Sequence, residues 1–156
     1  MLLATGGSPR RLPFGEGSII YFRTLNDYQR LRTLTGEGDR FAVIGGGFIG
    51  SEIAAALAMN GKRVVMLFPG SGIGAVAFPA DLCEAVTHYY REKGVEVLAG
   101  STVDGLEKNG NRFVVHVSGR NGITVDGVVA GIGISPNVEL AKGATLKVSD
   151  GIVVDE

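Results

Sequence analysis

The stretch Phe41-Ala-Val-Ile-Gly-Gly-Gly-Phe-Ile-Gly-Ser-Glu52 decides how the rest of the chain is read: a short apolar run breaks into glycines, and the glycines lead into a helical pattern. Gly45, Gly47 and Gly50 stand in GxGxxG register. In that register the first glycine makes a tight turn out of a strand, the second lets the backbone approach a pyrophosphate, and the third lets helix and strand pack closely. The pyrophosphate rests on the helix N-terminus, where free N–H groups and the positive end of the macrodipole favour an anion without any basic side chain. The chain holds 25 glycines, so the pattern alone says little and its context decides. Phe41 to Ile44 supply a buried strand, and Ile49, Ile53, Ala54, Ala56 and Leu57 form the apolar side of an alanine-rich helix. Gly61 closes that helix before a second apolar run, Val64 to Phe68. Strand, glycine turn, helix and strand in that order argue for a bound dinucleotide.

Around this unit, 156 residues suit one domain. Hydrophobic residues make up 45% and charged residues 20%, the balance of a globular protein, and no apolar run approaches the ~18 residues of a membrane helix. No membrane span is predicted. A formal net charge of -1 gives no electrostatic support for nucleic-acid binding. Cys83 is the only cysteine, which excludes an intrachain disulfide, a CxxC redox pair and a cysteine-based zinc site within the chain. It stands among Leu82 and Val86 and reads as a small core residue, consistent with a reducing, cytoplasmic compartment.

Taken in order, Leu2-Leu3-Ala4 reads as the tail of a strand, and Ser8 to Gly17 as a loop carrying Arg10 and Arg11. Ile19 to Phe22 predict a brief extended segment, and Thr24 or Asn26 caps a helix running to about Leu34. After the second strand, Pro69-Gly-Ser-Gly-Ile-Gly74 is too glycine-rich for a helix. An amphipathic helix follows from Pro79 to Gly94, and Val95 to Leu98 form a third strand. Thr102 to Glu107, Phe113 to Val117 and Ile123 to Val125 alternate and are joined by Asn-Gly turns, a hairpin meander. Asp126 to Ile132 read as a buried strand, Val138 to Ala141 as a short turn, and Ile152 to Val154 as a last strand. The order predicts an α/β, Rossmann-like parallel sheet with helices on one face and a small antiparallel β-meander on the other.

Three markers in this order, Ala4-Thr5-Gly6, Val43 to Glu52 and Ala130-Gly-Ile-Gly-Ile-Ser-Pro-Asn137, resemble the NAD-binding domain of the pyridine nucleotide-disulfide oxidoreductases. The resemblance covers nearly the whole chain. Leu67-Phe-Pro69 and Pro136-Asn-Val-Glu-Leu-Ala141 place it nearest the branch of apoptosis-inducing factor and the ferredoxin and rubredoxin reductases. Such proteins insert this domain into an FAD-binding domain. The resemblance therefore implies that residues 1–156 are an NAD(P)-binding domain, with 1–7 and 149–156 as junctions to an FAD-binding domain outside the chain.

Carried over position by position, the resemblance implies that Gly45, Gly46, Gly47 and Gly50 cradle the NAD(P) pyrophosphate. Phe48 and Ile49 would lie beside the nicotinamide, Phe48 as an aromatic gate. Glu52 would orient the nicotinamide at its junction with the flavin, and Gly131 and Gly133 would let the backbone approach the same end. One departure stands out. NAD users hold the adenosine ribose with an acid about 20 residues into the motif, whereas Phe68, the cofactor-binding position at the end of the second strand, is no acid here and Gly70 follows two residues on. The cofactor implied is NAD or NADP, with a lean toward NADH, together with FAD in the parent protein. Partners implied are the FAD-binding domain and an iron–sulfur protein or quinone as electron acceptor. The isolated chain is expected to be inactive. The alternative is a non-catalytic nucleotide-sensing or interaction module. Tyr89-Tyr-Arg-Glu-Lys93 spells the YxxxK of short-chain dehydrogenases, but it follows the glycine motif too closely and its tyrosines have a packing role. His88 and His116 stand alone, without a second ligand at metal spacing.

Overall fold

The computed structural model describes residues 2–155. Five parallel strands form the central sheet: β2 (Ile19–Ile20), β3 (Arg40–Ile44), β4 (Arg63–Phe68), β5 (Glu96–Ala99) and β9 (Gly127–Ala130), in the order β2-β9-β3-β4-β5. Between them run α1 (Leu25–Glu37), α2 (Phe48–Met59) and α3 (Ala80–Glu92). Three antiparallel strands, β6 (Val103–Asn109), β7 (Arg112–Val117) and β8 (Ile123–Val125), form a separate meander before the chain returns to the sheet as β9.

Beyond the leading Arg40, Arg63 and Glu96 the strands are apolar, because both faces of the sheet are covered. Side chains alternate across a strand, and the core divides accordingly. Phe41, Val43, Val64, Met66 and Phe68 pack with Leu31, Ile53, Ala54 and Leu57 of the helices. Their neighbours Ala42, Ile44, Val65 and Leu67 pack with Val115, Val117 and Val125 of the meander. The predicted arrangement of helices on one face and meander on the other is the observed one.

At the ends of the chain the structure departs from the sequence reading. Leu2 to Gly6 form no strand; instead β1 (Gly7–Pro9), inside the predicted loop, pairs antiparallel with β10 (Ile134–Pro136). The pairing is fixed from afar. The Thr5 hydroxyl donates to the Asn137 carbonyl at 2.6 Å, and the Asn137 side-chain amide donates to the Thr5 carbonyl at 2.9 Å. β9 stops at Ala130 rather than Ile132, and the turn near 138–141 is a short helix, α4 (Glu139–Gly143). The last extended residues are Gly151–Ile152, hairpinned on Val148–Ser149, instead of Ile152 to Val154. Among the described residues, no helix is long and apolar enough to cross a membrane.

Candidate dinucleotide site

All five parallel strands deliver their carboxyl ends to one side of the sheet. From β3 the chain winds through β4 to β5, then crosses back to β9 on the other flank of β3. Such a reversal of strand order opens a crevice at the strand ends, where open α/β sheets take their ligands. A cleft of about 800 Å3 lies there, lined by the Gly45 to Ile49 turn, Phe68 to Gly70 after β4, and Gly131 to Ile134 after β9.

The glycines divide the labour. Gly45 has φ +117°, and a Cβ there would collide with the Gly131 carbonyl. A Cβ on Gly50 would strike the Gly45 carbonyl, and one on Gly131 would lie 2.7 Å from the Gly50 nitrogen. Gly45, Gly50 and Gly131 therefore interlock, backbone against backbone, joining β3, α2 and the end of β9. A Cβ on Gly46 would press into the Phe68 ring at 2.8 Å. Phe68 is buried at 4% exposure and forms the floor beneath the turn. Gly47 differs from all of these: nothing lies within 4 Å of its Cβ position.

Gly47 is the N-cap of α2 and supplies no side chain to the free N–H groups of the first turn. By contrast, α1 carries a full capping box. The Asp27 N–H donates to the Thr24 hydroxyl at 3.2 Å, and the Thr24 N–H donates to the Asp27 carboxylate at 2.8 Å. Burial raises the Asp27 pKa, but the bonds from Thr24 and from the Arg23 N–H outweigh it and leave the carboxyl below its ordinary value. The start of α2, on the same sheet, is left open toward the cleft. An uncapped helix N-terminus beneath a bare glycine is a site for an anion.

Phe48 is 61% exposed at the cleft mouth, with its ring edge-on to Phe78 at 5.7 Å between centroids. Ile49, Gly131 and Gly133 also line the cleft, so every glycine-turn residue named from the sequence except Gly50 and Glu52 faces it. Gly50 serves from behind, in the interlock. Glu52 sits one helical turn farther up α2, is exposed, and does not line the cleft. Its charge is felt by Tyr90, whose phenol donates to the Ser51 carbonyl at 3.1 Å. Burial pushes the Tyr90 pKa up, and the Glu52 charge adds to the rise.

The two charged residues in the lining belong to no motif. Arg10 and Arg23 stand at the β2–β9 side of the cleft, Arg10 tied by its N–H to the Gly133 carbonyl at 3.0 Å. They arrive from segments remote in sequence from the glycine turn, and no pattern in the sequence marks either as a site residue. A second concavity, lined by Glu96, Leu98 and the Gly119 to Ile123 turn, lies at the β5 edge away from the glycines. Among the described residues, no group of three or more His, Cys, Asp or Glu side chains is placed to hold a metal.

Comparison with known proteins agrees with this geometry. Residues 1–156 match the family described as pyridine nucleotide-disulphide oxidoreductase. The chain is 36% identical to putidaredoxin reductase CamA of Pseudomonas putida, over 100% of its own length and 39% of the relative's. It is 33% identical to the mitochondrial apoptosis-inducing factor 1 of Dictyostelium discoideum, over 94% of its length and 30% of the relative's. Among solved structures, the ferredoxin reductase for the CYP199A2 system from Rhodopseudomonas palustris superposes with a TM-score of 0.89 at 30% identity, covering 97% of this chain and 38% of that one. The chain thus spans well under half of the relatives it matches. Matched along its entire length in sequence, and over nearly all of it in fold, the chain belongs to the pyridine nucleotide-disulphide oxidoreductase family.

Proposed function

We propose that this chain is the NAD(P)H-binding domain of an FAD-dependent oxidoreductase, and that it presents the nicotinamide to a flavin held by a domain outside these residues. The observation that carries the reading is the uncapped start of α2 under the open Gly47, at the point where strand order reverses. The first-turn N–H groups and the helix dipole hold the pyrophosphate. Gly47 keeps its path clear, Gly46 and Phe68 form the floor, and Gly131 to Gly133 admit the nicotinamide toward the β9 side. Phe48 stands over that end as a movable aromatic cover. Glu52 reaches the junction only from the rim of α2, so its orienting role belongs to the assembled parent rather than to the cleft alone. A bound flavin would supply the redox chemistry by accepting the hydride; this chain's share is orientation at short range. The electron acceptor beyond the flavin would be an iron–sulfur protein or a quinone.

The chain alone should bind NADH and oxidise none of it, so loss of NADH absorbance with purified, flavin-free chain would contradict the assignment. In the flavin-bearing parent, anaerobic NADH should bleach the oxidised flavin, and Gly47→Val should slow that bleaching by about tenfold or more. A flavin that NADH leaves oxidised would instead support a nucleotide-sensing module, consistent with the likeness to apoptosis-inducing factor.

A further inference from the structure

Among the described residues, the part of the cleft lining after β4, from Phe68 to Val76, carries no charged side chain, and we infer that the chain binds NADPH as readily as NADH, with residue 70 as the position that sets the preference. The inference rests on the dinucleotide reading above. In NAD-selective sites a carboxylate after the second strand accepts the ribose hydroxyls and repels a 2′-phosphate. Here the segment after β4 is Pro69-Gly-Ser-Gly72, and Phe68 before it packs its ring under Gly46 and offers no carboxylate. Gly70 lines the cleft, and the Gly100 N–H fixes its carbonyl at 2.9 Å. The nearest atoms to a Cβ there are Ala75 at 3.5 Å and the Gly72 carbonyl and the Phe68 ring, both at 3.9 Å, ordinary contacts, and the φ is not left-handed. The backbone would therefore accept a side chain at residue 70, and glycine is not demanded by the turn.

Nor does a cation stand ready for the 2′-phosphate. Lys62 and Arg63 lie at the opposite end of β4, where Lys62 donates to the Gly38 carbonyl at 2.9 Å and Arg63 pairs with Asp39 at 2.7 Å. Arg10 and Arg23 line the cleft from the β9 and β2 side. Those strands lie two and three positions from β4 in the sheet, roughly 10–14 Å at ordinary strand spacing. With neither an acid to exclude the phosphate nor a base to demand it, the site has no means of choosing.

Calorimetric titration of the chain with NADH and with NADPH tests this, using the wild type, Gly70→Glu and the uncharged, equal-sized Gly70→Gln, each checked for folding by circular dichroism. The wild-type dissociation constants should agree within about threefold. Gly70→Glu should move their ratio toward NADH by about tenfold or more, and Gly70→Gln should leave it near the wild-type value. A wild type that prefers either dinucleotide by about tenfold overturns the inference, and needs no variant to fold. A folded Gly70→Glu with an unchanged ratio overturns residue 70 as the deciding position. Absence of binding for both dinucleotides, or binding untouched by Gly47→Val, would instead refute the dinucleotide site itself.

Discussion

A methyl group added at Gly45, Gly50 or Gly131 would land on the backbone of another of the three, whereas one added at Gly47 would point into open space. This contrast separates stability from binding at single residues. Gly131→Ala should cost about 2–4 kcal/mol of unfolding free energy, because backbone on both sides must move. Gly47→Val should unfold within about 1 kcal/mol of the wild type, measured by urea denaturation, while NADH affinity falls by tenfold or more, since only the ligand's path is blocked. The glycines were legible in the sequence because no other residue does their work, and their spacing records a turn. Arg10 and Arg23 were not, since a basic residue beside a loop proline or after a two-residue strand looks like any surface charge until the fold brings it to the cleft. Glu52 illustrates the converse. Its place in the motif is plain in the sequence, but a helix turn rises about 5.4 Å, enough to set it on the rim.

Two helices on one sheet are started in opposite ways, and the proposed function turns on the difference. α1 satisfies its first turn with the Thr24 hydroxyl and the Asp27 carboxylate, while α2 begins at Gly47 with no side-chain cap. Thr24→Ala should therefore lower stability by about 1 kcal/mol, seen as a shift in the urea midpoint, with NADH binding unchanged. The β3, α2 and β4 unit was readable because its apolar runs and its 3.6-residue period are local. So was the meander, whose alternating strands are local, although the turn between β6 and β7 is Gly110-Asn111 rather than Asn109-Gly110, and β7 joins β8 through the longer loop 118–122. β1 was not readable: Gly7-Ser-Pro9 has no strand character and becomes extended only because β10, more than a hundred residues away, supplies the partner. The Thr5 and Asn137 bonds show that the first and last sequence markers are two halves of one structural joint.

Across the whole molecule, the parallel sheet and the meander share one apolar layer around Val115 and Val125 and are joined as well by Asp126. That carboxylate accepts the N–H groups of Asp39 and Arg40, both at 2.9 Å, and pairs with Arg112 of β7 at 2.8 Å. The Arg40 and Asp39 bonds, foremost, hold its pKa below the ordinary carboxylate value; burial opposes them and the Arg112 charge assists. A depressed folded-state pKa contributes stability that is present above the unfolded value, about 3.9, and is lost as pH falls through the folded value. Stability should thus decline below about pH 4, and Asp126→Asn should flatten that acid limb in urea midpoints taken across it. Truncating the largest fully buried side chain, Phe41→Ala, should cost about 3–5 kcal/mol and melt sheet and meander together in a single transition. The central claim, that a nicotinamide dinucleotide lies across the carboxyl ends of β3 and β9, is tested most directly by titrating NADH into the isotopically labelled chain and following backbone amide resonances. The amides of Gly45 to Gly50 and Gly131 to Gly133 should shift together and saturably while those around Glu96 and Arg120 stay still; silent glycine amides, or shifts confined to the Glu96 concavity, would contradict it.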